Sequence, residues 1–112
     1  MPKPAMRAYS RYSQDAVLLL GQMIRQARIA RKLTAAELAE RAGVSRGLIQ
    51  RIEHGDPGCA IGAVFETATI LGVKLFDADR STLAAKTAVQ QQILTLLPKA
   101  VRASGKAVKD DF

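Results

Sequence analysis

The side chains best suited to specific chemistry lie close together: Arg46, Gln50 and Arg51, with Gly47 among them. An arginine guanidinium can bond both acceptors on the edge of guanine, and a glutamine carboxamide can pair with adenine. Spacings of three and four residues put these positions on one helix face. Gly47 is costly inside a helix, by up to about 1 kcal/mol against alanine. That cost, accepted at an exposed position, points to close approach of a base or sugar edge. The alternative for Arg46, Gln50 and Arg51 is an ordinary solvated face.

Other chemistries find little support. His54 is the sole histidine and Cys59 the sole cysteine. Two such residues are too few for a Cys/His metal site, and one cysteine makes no internal disulfide. Cys59 has no base near it in sequence and reads as a small packed residue. Asp110 and Asp111 fall in a polar tail, which cannot pre-position a general acid and base. There is no P-loop or G-x-G-x-x-G pattern. The expectation is a protein that is not an enzyme, with no catalytic residue, metal or cofactor. At 112 residues no separate sensor domain is expected either.

The elements that must hold the basic face are two short helices within Thr34–Gly55. Thr34 and Glu37 form a T-x-x-E capping box. The helix that follows, 35–42, is built from Ala, Leu and Glu, which are good helix formers. Leu38, Ala39 and Ala42 face inward, and a larger side chain at Ala39 would push the two helices apart. Gly43 supplies the left-handed backbone that ends the first helix. Ser45 caps the second, 46–54, and Leu48 or Ile49, with Ile52, anchors it. A helix pair with this small contact residue, glycine corner and apolar anchor is the helix-turn-helix unit, which places its second helix in the major groove of DNA.

The charge agrees with a polyanionic partner. The net charge is +7. Residues 1–55 hold ten Lys/Arg against four Asp/Glu, and residues 56–112 hold seven against six, so the excess travels with the helix pair. No segment approaches the roughly 18 apolar residues of a membrane span. The start lacks the apolar run of a secretion signal. A single cysteine suits a reducing compartment, so the expected location is the cytoplasm.

Around the helix pair, residues 1–14 read as a flexible basic arm with Lys3, Arg7 and Arg11. It could reach a minor groove or be an unstructured terminus. A first long helix is expected over 15–31, with Asp15 at its start and Leu20, Met23, Ile24 and Ala27 buried. Arg25 and Arg31 should be solvated, while Arg28 follows the apolar face. Gly55–Ala60 is a loop. A core helix follows over 61–71, with Ile61, Val64, Phe65, Ala68 and Leu71 inward. Val73–Phe76 is a short extended piece, either an edge strand or a segment laid on the core. Ser81 is expected to cap a fifth helix reaching about Leu97. Its stripe of Leu83, Val89, Ile93, Leu96 and Leu97 is a dimer contact or packs on its own domain. The tail, 98–112, reads as disordered. The domain plan is therefore an arm at 1–14, a DNA-binding domain at 15–76, a C-terminal helix at 77–97 and a tail.

The run LGQMIRQARIARKLTAAELAERAGVSRGLIQRIEHG resembles the Cro/phage-repressor (XRE) helix-turn-helix family over roughly Leu20–Val73. The resemblance implies an all-α, five-helix, lambda-repressor-like fold. It makes Arg46 and Arg51 base readers, Ser45 and Gln50 base or phosphate contacts, and His54 a phosphate contact. The family commonly has Gln after the Thr34 position. Ala35 stands there instead, so one phosphate-to-base bridge is missing, although the helix N-terminus can still meet phosphate through its amides. The family also pairs an arginine of helix one with the glutamate ending the recognition helix, which here are Arg28 and Glu53. The second half, RIEHGDPGCAIGAVFETATILGVKLFD, then a helix, LLPKAVR and a final DDF, is similar to HipB-type antitoxins, which are encoded with HipA-type kinase toxins. That likeness implies a dimeric repressor of its own operon that binds a double-stranded operator and holds a kinase inactive. The alternative is a stand-alone XRE-family regulator with no toxin partner.

Overall fold

Ser10 fixes where the first helix begins. In the computed structural model, which describes residues 8–101 and Ala103, the Ser10 hydroxyl accepts the Ser13 amide at 3.1 Å. Gln14 Nε2 donates to the Tyr9 carbonyl at 2.8 Å. Helix α1 therefore runs Arg11–Ala30. The expected start at Asp15 is corrected by one turn, because a serine in extended backbone already satisfies an orphan amide. Arg11 to Gln14 thus belong to the helix and not to an arm. Lys3 and Arg7 of that arm, and the tail beyond Ala103, lie outside the described residues.

Three short helices follow: α2 at Ala35–Ala42, α3 at Arg46–Glu53 and α4 at Ile61–Ile70. Both arms of the expected capping box form. Thr34 Oγ1 accepts the Glu37 amide at 3.0 Å, and Glu37 Oε1 accepts the Thr34 amide at 2.8 Å. Gly43 ends α2 at φ 71°, a left-handed conformation that a side chain would strain. Ser45 Oγ then accepts the Leu48 amide at 3.0 Å and opens α3. These four helices belong to one unit, ending at Asp77, and α5 at Arg80–Thr95 belongs to a second unit that starts at Ala78. Among the described residues there is no strand. Val73 and Leu75 are half-buried against the core, and backbone with positive φ at Phe76 and Asp77 ends the segment.

The core of the first unit is Ile24, Leu38, Ala39, Ile49, Ile52, Ala68 and Leu71. Helix α3 packs on α1 and α2, and α4 packs on α2. The buried face of α1 is Leu20, Gly21, Ile24, Ala27 and Arg28, so Met23 falls outside it and is 40% exposed. Gly21 explains the rotation. A Cβ there would lie 2.3 Å from the Ile52 carbonyl oxygen, so the two helices cross at a distance only glycine allows. In α4 the buried residues are Thr67 and Ala68, with Leu71 as the cap. Ile61, expected inside, is 69% exposed in the first turn. Thr67 is accommodated because its hydroxyl donates to the Ala63 carbonyl at 2.8 Å.

In the second unit Asp79, not Ser81, caps α5: its Oδ1 accepts the Thr82 amide at 2.8 Å. Ser81 instead donates its hydroxyl to the same carboxylate at 3.2 Å. No residue of α5 is buried, and Val89, Ile93, Leu96 and Leu97 are all exposed.

Candidate nucleic-acid interface

Eight residues make a helix too short to persist alone, so the pose of α3 is set by what lies behind it. Ile49 and Ile52 are buried. At its C-terminal end Glu53 is held by a fork: Arg28 Nε donates to Oε2 at 2.7 Å and Nη2 to Oε1 at 3.0 Å. The third arm of the guanidinium, Nη1, donates to the Leu33 carbonyl at 2.9 Å, joining the pair to the connection before α2. The Arg28 and Glu53 side chains are 14% and 5% exposed. Hydrogen bonding to Glu53 raises the Arg28 pKa further above its already basic range, and burial opposes this only in part. Every buried side-chain polar atom among the described residues has a partner. A bidentate, fully bonded pair is the arrangement in which burying two charges costs least.

The opposite face is open. Ser45, Arg46, Gly47, Gln50, Arg51 and His54 are all exposed. Neither the Arg46 guanidinium nor the Gln50 carboxamide is tied to another described residue. A Cβ on Gly47 would meet only Ser45 Oγ, at 3.9 Å, so no neighbour in the fold demands a glycine there. His54 follows α3 as its C-cap, and its Nδ1 lies 2.6 Å from the Gln50 carbonyl. Thr34 is exposed and Ala35 half-buried at the N-terminus of α2. Glu37 there is held below the usual carboxylate range, chiefly by its bond from the Thr34 amide.

Arg51 is placed differently from the other expected contacts. Its Nε donates to Asp56 Oδ2 at 2.8 Å. The other oxygen, Asp56 Oδ1, accepts the Gly58 amide at 2.8 Å, so one carboxylate organises both the loop and the arginine. The Arg51 bond and the Gly58 amide together keep Asp56 below the usual carboxylate range. Sequence reasoning missed Asp56. The signal was an acid five residues after an arginine, across a helix end in a turn-rich GDPG segment, where helical spacing no longer says which side chains meet. Cys59, at the end of this loop, is half-buried, and burial raises its thiol pKa.

Among the described residues no cluster of His, Cys, Asp and Glu could hold a metal ion, and no helix is long and apolar enough to cross a membrane. A search of curated proteins and a search of solved structures find no match to the chain. The family model described as a helix-turn-helix domain matches residues 19–83, more than half of the 112. With two capped helices meeting at Gly43 and a basic face on the second, this chain belongs to the helix-turn-helix domain family, a DNA-binding family.

Proposed function

We propose that the protein is a sequence-specific transcriptional repressor that acts in the cytoplasm and binds a double-stranded operator as a homodimer. Helix α3 enters the major groove. Arg46 and Arg51 read bases, and Gln50 and Ser45 contact bases or phosphate. Gly47 allows close approach, and His54 meets the backbone. Thr34 and Ala35 bring the amides at the start of α2 to a phosphate. The observation that carries this reading is the outer face of α3: Arg46 and Gln50, both exposed and tied to no other described residue, on a helix fixed from behind.

The finer reading is an antitoxin that represses its own operon and neutralises a HipA-type kinase. It is supported by the likeness of the second half to HipB-type antitoxins and by the uncovered apolar stripe of α5. Footprinting on the protein's own promoter, joined to co-purification with the product of the adjacent reading frame, tests both levels. Two protected half-sites about one helical turn apart are expected, with affinity falling steeply as salt rises and a kinase retained with the protein. Protection without a kinase partner leaves the stand-alone regulator. Absence of any protected site removes the repressor reading.

A further inference from the structure

The side chain that faces DNA from the last turn of α3 is not free to choose its pose. Arg51 has five N–H donors, and the one on Nε is spent on Asp56 Oδ2 at 2.8 Å. Asp56 is itself pinned, because its Oδ1 accepts the Gly58 amide at 2.8 Å and it sits directly after the glycine that follows α3. A Cβ on Gly58 would lie 3.2 Å from Asp56 Oδ1 and 3.6 Å from Arg51 Nη2, so the loop closes around the pair with little to spare. The Arg51 and Asp56 side chains remain 53% and 38% exposed. A pair so open to water contributes little to stability. An acid beside a DNA-reading face also repels phosphates. Its use must lie elsewhere.

We propose that Asp56 is a positioning residue for base recognition: by occupying Nε it leaves only the two terminal nitrogens of Arg51 to face the groove, as a fork fixed in direction. Such a fork matches the paired acceptors of guanine, N7 and O6, and not the donor–acceptor edge of adenine. Holding the guanidinium before DNA arrives also removes part of the ordering cost that a long, free arginine carries into a complex. Arg46, tied to no other described residue, is free to adapt where Arg51 is not. The inference deepens the proposed function and rests on α3 reading the major groove.

The test is selection from a randomised duplex library, followed by titration on the selected and scrambled duplexes, for the parent, Arg51→Ala, Asp56→Asn and Asp56→Glu. Asparagine keeps an oxygen for the Gly58 amide and removes the charge. Arg51→Ala should lose the guanine preference at one base pair of each half-site, a discrimination of roughly 5- to 150-fold. Asp56→Asn should relax the preference at that same base pair while binding scrambled DNA at least as tightly as the parent, since one repelling charge is gone. Asp56→Glu should restore part of the preference. A merely structural role for Asp56 would lower affinity for both duplexes and melt earlier, without a change confined to one base pair. The proposal is overturned if Asp56→Asn keeps the parent preference at the position that Arg51→Ala alters, or if Arg51→Ala alters none. A parent that selects no sequence at all would instead overturn the underlying reading of α3.

Discussion

In α3, Ile49 and Ile52 are buried and Glu53 is gripped from behind by Arg28, whereas along the sixteen residues of α5 no side chain is buried. The two helices are capped alike, by Ser45 and by Asp79. They differ in what holds them once capped. Half the length of α5, α3 cannot rely on its own hydrogen bonds and takes its orientation wholly from tertiary anchors. Its outer face then needs to hold no core, and Arg46 and Gln50 there are tied to no other described residue. Helix α5 has length and good helix formers, and its apolar Val89 and Ile93, with Leu96 and Leu97 just past its end, are exposed to water. A helix anchored from behind and a helix with no buried side chain have been made from the same kind of element by moving the place where apolar surface is covered.

The largest expected effect falls on the tether. Arg28→Ala leaves Glu53 charged and buried, and should destabilise the protein by about 3–5 kcal/mol in thermal denaturation. Replacing the pair together, Arg28→Met with Glu53→Leu, should recover most of that loss. If Arg28→Ala melts like the parent, α3 is not held in this way. The crossing of α1 and α3 offers the next test. Gly21→Ala drives a methyl against the Ile52 carbonyl and should cost roughly 1–3 kcal/mol or more. Gly62→Ala, in α4, meets nothing within 4 Å and should instead stabilise by up to about 1 kcal/mol. The same substitution with opposite signs measures how closely the helices approach. On α5, Ile93→Asp should change folding stability by no more than about 0.5 kcal/mol, as befits an exposed site. If this face joins two copies, sedimentation should show the mass halve. An unchanged mass would place the dimer contact elsewhere.

A smaller effect depends on pH. Glu37 and Asp56 both have folded pKa values below their ordinary ones, held down by the Thr34 amide and by Arg51 respectively. The unfolded chain therefore takes up protons first as the solution is acidified. Their stabilisation is complete above the ordinary carboxylate range, about pH 4, and is lost as the pH falls through the lower folded values. Denaturant melts from pH 6 downward should show that loss, and Glu37→Gln, which can still cap, should flatten part of it.

The helix-turn-helix was legible because its signals are local. Thr34 with Glu37, Gly43 and Ser45 each act within four residues, and all took the geometry their types imply. The all-α fold and the Arg28–Glu53 pair followed from motif and family resemblance. What escaped was set across the fold. Gly21 gives no periodic signal, since it is buried by lacking a side chain, and its presence turns Met23 outward. Ile61 fits an apolar stripe in sequence, but it lies in a first turn that the core does not reach. At the starts of α1 and α5 several polar residues compete for the cap, and spacing does not rank Ser10 against Asp15 or Asp79 against Ser81. Asp56 could not be paired with Arg51 from helical spacing because the loop, not the helix, brings it back.

The claim that the free face of α3 reads DNA is tested most directly by titrating the parent and Arg46→Ala against the native promoter duplex and a scrambled duplex at one fixed salt concentration. The parent should prefer its promoter by on the order of 1,000-fold or more. Arg46→Ala should lose roughly 1–3 kcal/mol of that preference while retaining most of its affinity for scrambled DNA. Equal affinity of the parent for both duplexes would contradict sequence-specific reading by α3.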